Sequence, residues 1–420
     1  MYIRKEKKLL GIGGRIFSIL LLSLLFFFMT WGVSIPEQPI KIFKVGAAVN
    51  FGDRMGIQVK RCFELLTEQL NASGGLIVKG ERYHVDMIVY DHKYQADAGR
   101  AAFERLVFQD KVQTIFSYGS APTLAGIEVT EPNKIPLFHA AIGSQLMSPK
   151  YKYAFHTNRT TPVLLGAASF MKKHLITPKL KTVVVVANDD ITGRDTSKEV
   201  VAMWKYCNIK VLDTLYHKRG TVDLNPVAVK IKSINPDIVD FDGILAGAEA
   251  LRLVKAIYQS GWKGQIIGDL ITPTVPDIVN ACGKESVEGM FGQIFDPAEI
   301  PNPPPLAIPF RKAYTEKYGV WEIDGLRWFD GWHYFVEAVK KANSLSADDI
   351  AEAMQGLSVE TVAGESRMCR RPDLGNNRYV DSSLVKFWGQ VRNGRVVYVD
   401  RIPAIEGIRV AQEVYGGEWK

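Results

Sequence analysis

"KTVVVVAND", residues 181–189, decides the fold. Four valines and an alanine in a row leave no polar face, so a strand here must be covered on both sides. A sheet with one wet face would show alternation instead. A helix is expected next, from about Arg194 to Cys207, then a strand in "IKVLDTL" (209–215) and another in "DIVDFDGI" (237–244). "AEALRLVKAIYQSG" (248–261) reads as a helix ending at Gly261, and "GQIIGD" (264–269) as a short strand. Apolar strands alternating with helices predict a parallel sheet with helices on both faces.

The same scheme runs through the preceding segment. "IFKVGAAV" (42–49), "YHVDMIVY" (83–90) and "VQTIFSYG" (112–119) are strands. "IQVKRCFELLTEQL" (57–70) and "QADAGRAAFERLVFQD" (95–110) have helical spacing, and the glycines of "NASGG" suit a helix end. A further helix through Glu131 leads to the strand that opens "PLFHAAIGSQLM" (136–147). Two such units predict an α/β chain with two doubly wound parallel-sheet lobes. "IPNPPPLAIP" (300–309) is a stiff connection before three helices, near 306–318, 325–343 and 347–356. "SSLVKFWGQVRNGRVVYVDRI" (382–402) predicts a β-hairpin turning at Asn393-Gly394. The chain therefore crosses between lobes more than once. The expected partition is residues 41–160 with 292–375 for one lobe and 161–291 with 376–420 for the other.

The 420 residues are 47% apolar and 23% charged, a balance that excludes a disordered chain. Residues 1–34 combine a basic start (Arg4, Lys5, Lys7, Lys8, Arg15 against Glu6) with the apolar "IFSILLLSLLFFFMTWGVS". That pattern reads as a secretory signal cleaved near Ser34, with a retained membrane anchor as the alternative. No cysteine closes the apolar run, which argues against a lipid anchor. The segment carries +4 of the formal +7, so the remainder is only weakly basic, and nucleic acid is excluded as a partner. Cys62, Cys207, Cys282 and Cys369 form no C-x-x-C pair, which disfavours zinc and thioredoxin chemistry. Whether Cys282 and Cys369 pair is left open.

Ligands of open α/β sheets bind beyond the carboxyl ends of the strands, near helix N-termini. The strand ends here are "NFGDRMG" (50–56, offering Asn50 and Phe51), "SYGSAPTLAG" (117–126, with Ser120), the 140–144 stretch, "NDDITGRD" (188–195), "GILAGAE" (243–249) and "GDLITP" (268–273). Ser120 also suits a helix N-cap, and the acids of 188–195 suit caps as well. Small residues at 140–144 expose backbone. No G-x-S-x-G, Walker or dinucleotide motif appears in the fold, so no enzyme, cofactor or metal is indicated.

Several ordered pieces resemble one family, the extracytoplasmic solute-binding proteins of ABC transporters of the Leu/Ile/Val-binding type. "TEQLNASGGL" resembles its I-N-x-x-G-G-I helix end, "IPLFHAAIGSQLM" its P-L-I-S-P-A-A-T-S stretch and "NDDITGRD" its N-D-x-x-Y-G-R-D loop. "IVYDHKYQADAGRAAFERLV" and "SGWKGQIIGD" resemble further pieces, and the likeness spans roughly Lys44 to Val397. The resemblance implies two lobes joined by three crossovers, a type I periplasmic binding protein. It implies a periplasmic, non-enzymatic monomer that closes on a small polar solute, an amino acid or related carboxylate or amide. The partners it implies are ABC permease and ATPase subunits. A sensing module of the same fold, passing its state to a separate signalling partner, is the alternative.

Residue by residue, Ser120 matches the family's carboxylate-holding serine. Ala141 and Ile142 fall on its two alanines, and Gly143 on its threonine. Its second-lobe tyrosine falls on Thr192, a later tyrosine near Ala246, and its ammonium-holding acid on Leu270 beside Asp269. The first loop is shorter and places Met55 at a ring-bearing position. An unpaired ammonium in a shut cleft would cost several kcal/mol. The departures therefore point away from an ordinary branched-chain amino acid, and Phe51, Trp328 and Phe329 are expected to line room for an aromatic or extended carboxylate.

Overall fold

A computed structural model describes residues 39–52, 54–158, 161–242, 247–268, 282–293, 296–322 and 330–420. In Lys41–Lys420 the chain first builds a six-stranded sheet from β1 (Lys41–Val49), β2 (Leu76–Val78), β3 (Glu81–Asp91), β4 (Thr114–Ser117), β5 (Leu137–His139) and β6 (Ala154–His156). Their spatial order is β2-β3-β1-β4-β5-β6, parallel except for β2. Between them run α1 (Arg54–Ala72), α2 (Ala96–Glu104) and α3 (Ser120–Thr130). The helix expected over 95–110 ends its α-helical part at Glu104 and finishes in a π-helical turn, Arg105–Asp110.

Both faces of this sheet are covered, as its apolar strands require. On one face Val45, Ala47, Phe116 and Phe138 pack with Phe63, Trp332 and Phe335. On the other, Ala48, Ile115 and Leu137 pack with Phe103, Leu106 and Ile127. Rings knit the first face: the centroids of Phe116 lie 5.6 Å from Phe138 and 5.9 Å from Trp332. Burying this many aromatic rings contributes heavily to stability, because each removes a large apolar area from water.

The chain then enters a second sheet through α4 (Thr161–Phe170), β7 (Thr182–Asn188), α5 (Ile191–Tyr206), β8 (Lys210–His217), α6 (Asn225–Ile234), β9 (Ile238–Asp240), α7 (Gly247–Ser260), β10 (Gln265–Ile267) and β11 (Phe291–Gln293). It returns to the first lobe with α8 (Ala307–Tyr318), α9 (Asp330–Ala342) and α10 (Ala347–Ala353). A small antiparallel sheet follows, β12 (Ser358–Thr361), β13 (Gly364–Arg371) and β14 (Asn376–Leu384). The chain then crosses again into β15 (Lys386–Arg392), β16 (Arg395–Ile402) and α11 (Ala404–Tyr415). The second sheet runs β16-β15-β11-β10-β9-β7-β8. Val183 to Ala187 of β7 are all fully buried, which is the two-sided cover read from "VVVV".

The expected hairpin is present, with Asn393 and Gly394 both at positive φ (54° and 71°). It begins at Lys386 rather than Ser382. Residues 382–384 pair with β13 instead, at Met368, Arg367 and Ser366. All four cysteines are free, and Cys62 is a fully buried core residue of α1. No helix among the described residues is long and apolar enough to cross a membrane, and the expected signal segment lies outside them.

Candidate ligand-binding cleft

Turns at the carboxyl ends of parallel strands in the two sheets meet. From the first lobe come those after β3, β4 and β5; from the second come those after β7 and β8. Ser120 opens α3 and is only 2% exposed. It is not the N-cap. Gly119 takes that place with φ 84°, a conformation that glycine adopts without strain, and the Tyr94 ring packs against it. Freed from capping, the Ser120 hydroxyl lies 2.8 Å from the Thr192 hydroxyl of the other lobe. It also accepts the Gly143 N–H at 3.2 Å.

Thr192 is placed by its own local sequence. Asp190 caps α5 by accepting the Gly193 N–H at 2.8 Å, so the helix starts at Ile191, three residues before the expected start. Gly193 is required there, because a Cβ would stand 2.1 Å from the Asn188 carbonyl oxygen. Asp190 also takes Arg219 Nε at 2.5 Å, and the Arg219 guanidinium sits 5.4 Å from the centre of the Tyr94 ring. Tyr94 belongs to the first lobe and has φ 55°, next to Lys93 at φ 50°, so the segment feeding this contact is backbone-strained.

The remaining candidates divide. Asn50 donates its backbone N–H to the Tyr118 hydroxyl at 3.2 Å, and its side-chain oxygen accepts the Gly52 N–H at 3.1 Å. Phe51 is 37% exposed and donates its N–H to Asp91 at 3.1 Å. Ala141 and Ile142 are buried, and the Ala141 N–H points to His139 Nδ1 at 3.4 Å. The main-chain donors expected to face a ligand therefore meet acceptors inside the protein at Ala141 and Gly143. A Cβ at Gly143 would meet Ile191 of the second lobe at 3.4 Å, an ordinary van der Waals contact. Ala246, Asp269, Trp328 and Phe329 lie outside the described residues.

Sequence reading missed three groups. Asp195 Oδ2 accepts both the N–H and the hydroxyl of Ser144, at 2.9 and 3.0 Å, from the opposite lobe, while Lys198 holds its other oxygen at 2.9 Å. Burial works against the Asp195 charge, but these donors outweigh it and hold the carboxyl below the usual range. Near the crossovers Arg371 is 1% exposed and bonds Asp373 at 2.7 and 2.9 Å and Asp381 at 3.0 Å. Glu199 approaches it to 3.9 Å from α5, and burial raises the Glu199 carboxyl. Arg371, Asp373 and Glu199 border a cavity of about 300 Å³ that Ser144 and His156 also line. In the second lobe Glu249 accepts the Asn188 amide at 3.1 Å and the Gly220 N–H, and Asp242 accepts Lys386 at 2.7 Å. Only one cue was local: positions 192, 195 and 199 share one face of α5. Among the described residues no cluster of metal-binding side chains occurs.

Residues 51–379 match the periplasmic binding protein family. Solved structures share the fold. A leucine-, isoleucine-, valine-, threonine- and alanine-binding protein from Brucella ovis, in a closed conformation, aligns with a TM-score of 0.71 at 19% identity, over 88% of this chain and 97% of that one. A leucine-binding protein from Thermotoga maritima aligns with a TM-score of 0.68 at 21% identity, over 86% and 99%. An ABC-transporter solute-binding protein from R. palustris, in complex with 4-hydroxybenzoate, gives 0.71 at 17% identity over 86% and 97%. The two covered sheets, the three passages of the chain between them and the match over 51–379 lead to one conclusion: the chain belongs to the periplasmic binding protein family.

Proposed function

We propose that this protein is the exported receptor of an ABC importer, binding a small carboxylate or amide between its lobes by hinge closure and delivering it to a permease. The lobes of this reading are residues 41–160 with 292–375 and 161–291 with 376–420. The observation that carries it is the meeting of Ser120 and Thr192, 2.8 Å apart, each at the start of a helix and each from a different lobe. Helix starts present free N–H groups and favour an anion. A ligand held there contacts both lobes and so favours the shut form over the open one. The solute class follows from the same place. Ser120 is the carboxylate-holding position of the resemblance; one fold relative is named a leucine-binding protein and another is in complex with 4-hydroxybenzoate.

A thermal-shift screen tests this. The panel is leucine, valine, benzoate, 4-hydroxybenzoate, aliphatic amides and urea. A carboxylate or amide present at a hundredfold excess over its Kd stabilises the fold by about 2.7 kcal/mol, a shift of several degrees. Aromatic or extended carboxylates are expected to give the largest shifts. Stabilisation by leucine alone would overturn that ligand class, and no shift with any member would overturn the solute reading.

A further inference from the structure

We propose that Ser144 and Asp195 form a closing latch, a contact that sets how tightly the lobes shut and so scales affinity for every ligand without touching one. The inference rests on the reading that the cleft binds by closing. Asp195 stands one turn after Thr192 on α5, on the same face, and belongs to the second lobe. Ser144 opens the short turn after β5 and belongs to the first.

The carboxylate is divided between the lobes. Its Oδ1 is tied within its own helix by Lys198, and Oδ2 receives two donors from Ser144. Its side chain is 18% exposed, so these bonds are partly shielded from water. Bonds to an ionised acceptor are stronger than neutral ones. Separating the lobes breaks both at once and returns Oδ2 to solvent. The contact therefore favours the shut form by a fixed amount, whatever the cleft holds. With both oxygens engaged, Asp195 has no role in choosing among ligands. In an equilibrium of this kind, apparent affinity scales with the population of the competent state. The latch thus multiplies all affinities by one factor.

The test titrates wild type, S144A, D195A and D195N with leucine, valine, benzoate and 4-hydroxybenzoate. Every compound that binds wild type is expected to weaken by the same factor in D195A, about tenfold. S144A and D195N, which each keep part of the contact, fall between, and the rank order of ligands stays unchanged. Unchanged affinity, or a rank order that shifts with Asp195, overturns the latch. If none of the four binds wild type, the ligand reading fails and a second measurement decides the latch. In a C282S background, S144C with D195C is oxidised with diamide in the absence of added solute. An intramolecular disulfide is expected, and none in the control pair of S144C with K205C. Failure of the S144C/D195C pair to cross-link overturns the latch.

Discussion

Replacing Arg371 with methionine is expected to remove about 3–5 kcal/mol of folding stability, because it leaves the buried Asp381 carboxylate without its cation. The guanidinium bonds Asp373 through two nitrogens and Asp381 through a third contact. Asp381 is fully buried; beyond Arg371 it accepts the Ser382 N–H at 2.9 Å. That partner does not replace a full positive charge. Methionine keeps the aliphatic stem but ends short of the guanidinium, which now contacts Met147 and Trp419, so the part of the loss that D381N offsets reads the charge and the rest reads the vacated space. R371K is expected to recover only part of it, since an ammonium cannot reproduce the two-nitrogen geometry on Asp373. Chemical denaturation checks this. A large drop in midpoint for R371M that D381N partly offsets supports the account, and an unchanged midpoint contradicts it.

The second large effect is acid sensitivity. Burial pushes His92 from its ordinary value near 6.5 down to about 4. Its Nδ1 accepts the Tyr94 N–H at 3.0 Å, which fixes a neutral ring, and the ring meets Tyr118 in a T-shaped contact with centroids 5.2 Å apart. The unfolded chain takes up this proton near pH 6.5, the folded chain only near pH 4. Between those values the unfolded state binds more protons, so stability falls as pH falls. A shift of this size is worth about 3 kcal/mol by pH 4. His139, buried and stacked 5.2 Å from His156, is also held well below its ordinary value and adds in the same direction.

Asp240 acts oppositely. Burial first and the Asp242 charge second raise it to about 7, so ionising it costs stability as pH rises from 4 to 7. The difference between wild type and H92N isolates the histidine, because asparagine keeps an acceptor for Tyr94. Melting temperatures from pH 7.5 to 4.5 are expected to decline less steeply in H92N. Parallel declines would show that His92 does not titrate as described.

Much of this architecture was legible because it rests on periodicity. Strands such as 181–189 have no polar face, and such a pattern has one stable solution, a covered parallel sheet. The sheet of β12 to β14 was not legible. Its strands carry Glu360, Glu365, Arg367 and Arg370 at partly exposed places, and their apolar positions are too few for alternation to stand out. The start of α5 was misplaced for a local reason: the Asp190 cap and Gly193 turn begin the helix before its apolar spacing does.

The site divides along the same line. Ser120 and Thr192 were found through motifs carried by single loops. Ser144 with Asp195 joins residues from different lobes, and Arg371 with Glu199 joins segments far apart in the chain. Nothing in either local stretch marks the partner, because each pairing exists only once the chain has folded. Tyr94 and Arg219 are of the same kind, a strained turn in one lobe facing an exposed loop of the other.

The central claim is that the lobes close on a solute. Spin labels at I77C and V222C, exposed positions on the two lobes, measure it directly in a C282S background. The solute is the panel member that most raises the melting temperature. Adding it is expected to replace the starting distance distribution with a shorter, narrower one. A distribution unchanged at saturating solute would contradict closure.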